Sequence, residues 1–583
     1  MLYSRYLTGL LISCVSINAY AAAPHRVLEH TGSIYKNIKE NTEMKIESKD
    51  LSTSNQKKKR KLITNTKYVV VVKGFKVIGN DEFSQKEIET VLAPFVGKKM
   101  STEELSQIAN ALTEYYHKKG FFDANVALVS PYILQGGIIV LVVDERHLEK
   151  GGISVENSGK RIKSEKVQKL WDSIMKPGAM KQDEFERAIL LTNDLPGVSA
   201  KADLYYGTDE NTDDLVITVD DTSLFNGNID IDNFGSYYTG ETEVGTTLYW
   251  NSPTGNGEEI VARFISTGKY SNYGYLEIEI PVFDYATRIG ASIDYLDYEL
   301  KHQEQGQGGD GTAWNANLFI KYPLVRTEKT TVELEVRYAH SKLIDNNLTS
   351  QIDNTVIDKG VFSISGNRSD DLLENGITYF DFSLTVGNTK LKDQTYRELD
   401  ALTTETSGSF TKFNYSISRL QNIKGDLSAK LSVDGQWANK NLDTSEKFFI
   451  GGPYSMAGYP VGQIGGDDAA VFYADLRYDF YQMPWGGDFQ IKAFYSYGWV
   501  KVMKDPEKYI AYYTNVDKKY NEMNLQTVGL GLNQTWSDNI VIRAMVGKQV
   551  GENEYREMPY NDNEDYDQSD SDYRAWIEVI YYF

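Results

Sequence analysis

The chain has 583 residues, 41 of them tyrosine and 47 glycine, with one cysteine and a formal net charge of −21; its mean hydropathy is −0.44. The acidic balance argues against nucleic acid as a partner, the lone cysteine excludes a disulfide framework, and past the N-terminus no stretch reaches the 18 or so apolar residues of a membrane helix. Two classes survive: an exported soluble protein, or a membrane β-barrel whose lipid face is hidden in alternating residues, and the wealth of tyrosine and glycine favours the barrel.

The first residues read as a secretory signal, 1–21. Arg5 precedes the apolar run Tyr6 to Ile17, and the triplet Ala19-Tyr20-Ala21 offers a small-residue cleavage site. Cys14 falls inside this signal, so the mature chain carries no thiol. Six histidines without paired spacing predict no zinc site. The polar segment 22–67 contains the basic cluster Lys57 to Lys61 and reads as a linker or a plug for a pore.

Two compact α/β units follow, 68–147 and 148–222. In the first, "YVVVVKGFKVIGN" reads as a strand, and two helices each open on a capping box, Ser84 with Glu87 and Ser101 with Glu104. Leu105, Ile108, Ala109, Leu112 and Tyr116 form one apolar stripe on the second helix, which stops at Gly120. Strands "ANVALVS" and "GIIVLVVDE" close the unit. The second unit repeats the order with "GISVE", helices around 167–174 and 182–193, then "AKADLYY" and "DLVITVDD". Each is expected to hold a three-stranded sheet with an edge free to accept another strand.

These residues carry a resemblance. The β-α-α-β-β order looks like POTRA domains. The stretch Asn193-Asp194-Leu195-Pro196-Gly197, followed by Val198, resembles the signature of the second POTRA in two-partner secretion transporters of the outer membrane. "GFKVIGNDEFS" and "YYHKKGFFDANV" resemble the first POTRA of that family, while Pro131-Tyr132 departs from its usual proline-glutamine pair. The resemblance implies a transmembrane antiparallel β-barrel of about sixteen strands, preceded by two periplasmic α/β POTRA domains. It also implies secretion, without ATP, of a large exoprotein client that carries an N-terminal secretion domain, such as an adhesin, a cytolysin or a contact-dependent toxin. The expected surroundings are outer-membrane lipid and the barrel-assembly machinery that inserts the chain. No enzyme motif, cofactor or metal is expected: there is no Gly-x-Ser-x-Gly elbow, Walker loop or His-Glu-x-x-His helix. An assembly insertase of the same superfamily and a passive porin stay open as alternatives.

Residues 223–583 supply the strand count. Starts are predicted near Leu224, Glu243, Glu259, Tyr273, Thr287, Thr312, Lys329, Gly360, Ile377, Phe410, Asp426, Ala469, Phe489, Leu525, Asn539 and Ala575, an even number, as bacterial single-chain barrels require. Phe472, Ala474, Leu476, Tyr478 and Phe480 alternate with Asp475, Arg477 and Asp479, putting the charges on the lumen side. The C-terminal Phe583 shares the outward face of Ile577, Val579 and Tyr581, which resembles the signal read by the assembly machinery.

Between strands eleven and twelve stands "FFIGGPYSMAGYP", Phe448 to Pro460. In the superfamily this is the sixth extracellular loop, here 443–467, which folds into the lumen with a valine-arginine-glycine-tyrosine tip. The tip here reads Met456-Ala457-Gly458-Tyr459, and Gly451 and Gly452 precede it. The partner motif on strand thirteen, phenylalanine-x-aspartate-x-glycine, appears as Phe494, Ser496 and Gly498. The arginine and the aspartate are both missing, as expected of a buried pair lost as a unit, because a lone buried charge costs several kcal/mol whereas loss of both is nearly neutral. The loop is therefore expected to enter the barrel held by Tyr459, Gly452 and backbone hydrogen bonds. The acidic stretch from Asn561 to Tyr573 lacks the fixed glycine and spacing of a calcium loop and reads as solvated.

Overall fold

The structure is a computed structural model that describes residues 69–128, 137–209, 211–301, 309–347, 351–513, 517–536, 539–558, 561 and 563–583. The expected signal, the segment 22–67 with its basic cluster, and Pro131-Tyr132 lie outside the described residues.

Hydrophobic patterning sets the two N-terminal modules. In the first, helices Gln85–Leu92 and Thr102–Lys118 both start on complete capping boxes, at Ser84 and Ser101. The stripe from Leu105 to Tyr116 is buried against Ile139, Leu141 and Val143 of the sheet. That sheet runs Gly74–Ile78, Ile138–Asp144, Asn125–Leu128, with the first pair parallel. The apolar run expected as one strand is two. Val69–Val71 leaves to pair with Lys99–Ser101, and Val72 between them is fully buried, so the chain turns where both faces of a straight strand cannot be covered.

The second module has a sheet of four strands rather than three, in the order Gly178–Ala179, His147–Asn157, Thr212–Asp221, Val198–Tyr206. The extra strand is the two-residue turn into helix Gln182–Asn193. Trp171, on helix Ser164–Ile174, is fully buried and donates its indole N–H to Thr192 at 2.9 Å. Val198–Tyr206 forms one edge of this sheet, with Tyr205 and Tyr206 57% and 85% exposed.

Sixteen antiparallel strands close the barrel. The first, Phe225–Asp232, pairs with the last, Tyr573–Tyr582, over Asn228 to Asp232, and the ends are tied by Gly227 and Phe583, which exchange backbone hydrogen bonds at 3.1 and 3.0 Å. The expected starts agree with those observed to within a few residues except the eighth strand, Gln351–Asp370, whose polar opening gives no alternation to read. Ile231, Phe264, Ile293, Leu318 and Leu530 stand half exposed on the outside, while Asp230, Arg263, Glu279, Lys321 and Arg337 are buried inside. Outward apolar and inward charged faces suit a lipid surround and a polar lumen. Helices Gln394–Leu402 and Glu507–Tyr512, where no helix is expected from the strand pattern, sit after the ninth and thirteenth strands; Lys508 of the second pairs at 2.5 Å with Glu405, just past the end of the first.

Candidate functional site

The site is the loop between the eleventh strand, Leu427–Ala438, and the twelfth, Asp468–Phe480. Its base is electrostatic. Glu446, fully buried, accepts an ion pair from Lys359 of the eighth strand and another from Lys412 of the tenth, Gly408–Lys424, at 2.8 Å. Lys447 pairs with buried Asp467 at 2.9 Å, and Asp467 also accepts the backbone N–H groups of Leu442 and Lys504 at 3.0 and 2.8 Å. Two opposed short strands, Phe448–Ile450 and Ile464–Gly466, then carry the chain inward as a hairpin.

The tip is neutral. Met456, Ala457 and Tyr459 are 0, 2 and 0% exposed. Gly451 and Gly452 have φ of 123° and 83°, which only glycine adopts cheaply, and they turn the chain so that Gly452 N–H reaches the Tyr459 carbonyl at 3.1 Å. The tip touches the last four strands. Met456 and Ile450 fill the space beside Gly498 on the thirteenth, Asp488–Lys501, where a Cβ would lie 3.3 and 2.9 Å from them. Gly458 N–H donates to Thr527 Oγ1 of the fourteenth, Glu522–Trp536, at 3.3 Å, and its carbonyl accepts from Gln549 Nε2 of the fifteenth, Ile540–Gln549, at 3.0 Å. The Ala457 carbonyl accepts the indole N–H of Trp576, on the sixteenth, at 2.7 Å. Gly547 makes this approach possible, since a Cβ there would lie 2.4 Å from the Ala457 carbonyl carbon.

Phe494 packs with Ala457, Val461, Phe234 and Trp576 in one apolar cluster. Ser496 is buried and its hydroxyl has no hydrogen-bond partner among the described residues. Position 457 thus sits in an apolar cluster and position 496 keeps a small polar group, with no ion pair between them. Asp475 and Arg477 pair with each other at 2.7 Å on the twelfth strand, with Tyr473 donating to Asp475 at 2.8 Å.

The stretch 561–573 differs from the solvated loop expected. Asp565 is buried and accepts from Gln463 of the lumen loop at 3.1 Å, from Gln549 at 2.6 Å and from Arg556 at 2.8 Å, while Arg574 pairs with Asp567. Its acidity serves to hold the loop against the last hairpin. No local pattern ties Asp565 and Trp576 to the lumen loop, because their partners there, Gln463 and Ala457, lie 102 and 119 residues away in sequence. Repeated Arg and Asp flanking the last strand were the available signal.

The signature at 193–197 joins the second module to the barrel. Asn193 closes its own helix end onto the next strand, donating to the Ala200 carbonyl at 3.0 Å and accepting from Ala200 N–H at 2.8 Å. Asp194 binds Arg326, on the rim of the sixth strand, through two hydrogen bonds at 2.7 and 2.9 Å, and its carbonyl accepts from Arg288 at 2.8 Å. Leu195 is buried in the module core, Pro196 ends the helix turn, and Gly197, at φ 75°, leaves room for Asn251 and Arg161. Leu170 and Leu191 pack on Tyr285 and Ala286 of a barrel turn. Phe583 stands 49% exposed on the outward face.

With this geometry in view, comparison with known proteins is specific. The family model for haemolysin secretion/activation proteins ShlB/FhaC/HecB matches residues 211–514, and the ShlB-type POTRA model matches 70–145. The heme/hemopexin transporter protein HuxB of Haemophilus influenzae strain 86-028NP is 25% identical over 478 residues, covering 81% of this chain and 82% of HuxB. Among solved structures, CdiB from Escherichia coli superposes with a TM-score of 0.69 at 17% identity, over 90% of this chain and 93% of that one. BamA from Haemophilus ducreyi lacking POTRA domains 1–3 gives 0.50 at 12% identity, over 88% and 100%. The chain belongs to the ShlB/FhaC/HecB family of haemolysin secretion/activation proteins: it is an outer-membrane β-barrel transporter of two-partner secretion, with POTRA domains in the periplasm.

Proposed function

We propose that this transporter captures an unfolded exoprotein in the periplasm by strand addition and passes it through the barrel when the lumen loop 443–467 withdraws. The observation that supports capture is the edge strand Val198–Tyr206 of the second POTRA domain, which borders no other strand on its outer side among the described residues and carries two exposed tyrosines. An added strand gains main-chain hydrogen bonds with little sequence demand, which suits an unfolded client with an N-terminal secretion domain. Folding of the client outside the cell supplies direction where no ATP is present. The likeness to HuxB, a heme/hemopexin transporter protein, adds a heme- or hemopexin-linked client to the adhesin, cytolysin and contact-dependent toxin classes. The last strand with Phe583 is the segment by which the assembly machinery would receive this chain.

Proline scanning tests capture. Along an edge strand, N–H groups alternate between the sheet's own ladder and the open side, and proline removes one donor. Asp203→Pro and Leu204→Pro therefore differ: one breaks the internal ladder, the other only the client's. Proline on the central strand Ile138–Asp144 of the first domain would break that sheet's own ladder and cannot test capture. Secretion should fall with a folded, inserted transporter in one of the two variants; wild-type secretion in both would overturn capture at this edge.

A further inference from the structure

The elbow between the two POTRA domains is two residues long, Glu145 and Arg146, and their side chains divide between the domains. Arg146, at φ 43°, turns into the second domain, where it donates to Asp213 at 2.7 Å and to the Thr212 carbonyl at 2.6 Å. Glu145 turns back into the first and is 3% exposed. One of its oxygens, Oε1, accepts the backbone N–H groups of Asp81 and Glu82 at 3.0 and 3.1 Å and the Tyr116 hydroxyl at 2.7 Å.

The other oxygen, Oε2, is closed to solvent and has no hydrogen-bond partner among the described residues. It lies 4.0 Å from Nε2 of His147, the first residue of the second domain's sheet. A carboxylate oxygen of Glu82 completes a trio whose ligand atoms all fall within 4.8 Å of one another. A buried carboxylate oxygen without a donor is costly, and buried charges are normally paired or metal-bound. Oε1 is held by three donors, so Oε2 is fixed in aim, as a preorganised ligand should be.

We propose that Glu82, Glu145 and His147 bind a divalent transition-metal ion, zinc by preference, at the inter-domain elbow. One imidazole and two carboxylates form a donor set that zinc takes in tetrahedral geometry with water in the fourth position. Bonds of about 2.0–2.2 Å require the three ligands to close by less than an ångström or so from the present spacing, a rotamer adjustment for Glu82 and His147, which are exposed and part-exposed. Glu82 and Glu145 belong to the first domain and His147 to the second, so the ion would fix the angle at which the client-binding edges are presented. Glu82 lies 63 residues before Glu145 in the sequence, so the trio comes together only through the fold.

The test is calorimetric titration of Zn2+ into the untagged full-length transporter in detergent, with Ca2+ and Mg2+ as controls. The expected result is one high-affinity Zn2+ per chain and no matching Ca2+ or Mg2+ signal, with His147→Ala and Glu82→Gln each weakening zinc at least tenfold. Both positions are solvent-accessible, so the variants fold. Spin labels placed one on each POTRA domain should show a distance distribution that narrows with Zn2+ in the wild type and does not change in His147→Ala. Absence of a stoichiometric site, or equal affinity in wild type and both variants, overturns the proposal.

Discussion

Trp576→Phe isolates what holds the lumen loop. The substitution keeps an aromatic ring against Phe234, whose centroid is 6.0 Å from that of Trp576, but removes the indole N–H that the Ala457 carbonyl accepts at 2.7 Å. Ala457 is 2% exposed and sits in an apolar cluster, so water replaces that donor poorly. A buried acceptor stripped of its donor costs about 1–3 kcal/mol, which raises the fraction of loops displaced by roughly 5- to 150-fold. The bonds from Gly458 to Thr527 and Gln549 persist, so the seated loop stays the majority state. The assay is the rate at which a membrane-impermeant maleimide labels Ala457→Cys, with and without Trp576→Phe; the lone native cysteine is Cys14, in the expected signal. When opening and closing are faster than labelling, the rate tracks the open population. Equal rates in the two backgrounds, or labelling of Ala457→Cys as fast as a surface cysteine, would show that the Trp576 bond does not hold the loop in the lumen.

Other perturbations separate the remaining parts. Glu446→Ala leaves Lys359 and Lys412 buried without their shared carboxylate, and should lower the denaturant midpoint of the folded barrel by an amount worth about 3–5 kcal/mol, read by heat-modifiable gel mobility. Ala457→Arg and Ser496→Asp should each destabilise the loop, and the double variant should recover part of the loss with a coupling of roughly 0.5–3 kcal/mol; strict additivity would show that the two positions do not communicate. Asp194→Ala removes both hydrogen bonds to Arg326 and should broaden the POTRA-to-barrel distance distribution measured by spin labels, while the Leu170–Tyr285 contact keeps the domains attached. Burial, then Asp213 beside it, pushes the Asp123 carboxyl up to about 6, with Arg146 opposing and Asp144 adding to the rise. The folded junction therefore binds a proton more tightly than the unfolded chain, and its stability should rise as pH falls from about 6 towards 4. Hydrogen exchange at the junction in wild type and Asp123→Asn checks this, since the asparagine variant should lose that pH response.

The barrel was legible because its information is local. Alternation of the kind running from Phe472 to Phe480 reports a strand and its two faces at once, and turns break the pattern at regular intervals. Capping boxes and the Leu105–Tyr116 stripe made the first domain readable for the same reason. Strand eight failed where its opening is polar, and the helices over the pore failed because a short amphipathic segment between long strands resembles a turn. In the loop, the absence of a charge at 457 and at 496 pointed to neutral contacts, yet the contacts themselves came from Trp576, Gln549 and Asp565, which no spacing rule connects to the tip. Glu446 illustrates the limit: a lone glutamate in a polar stretch reads as solvated, and only closure of the barrel puts two lysines beside it.

On this mechanism the loop must leave the lumen for the client to pass. Cysteines at Gln463 and Asp565, whose side chains meet at 3.1 Å, can be bridged by a short thiol-reactive cross-linker in the inserted transporter. The bridged protein should keep its barrel and low conductance but stop secreting, and a cleavable linker should restore secretion when reduced, relative to the same variant left unbridged. Secretion at the unbridged rate with the loop cross-linked in place would contradict it.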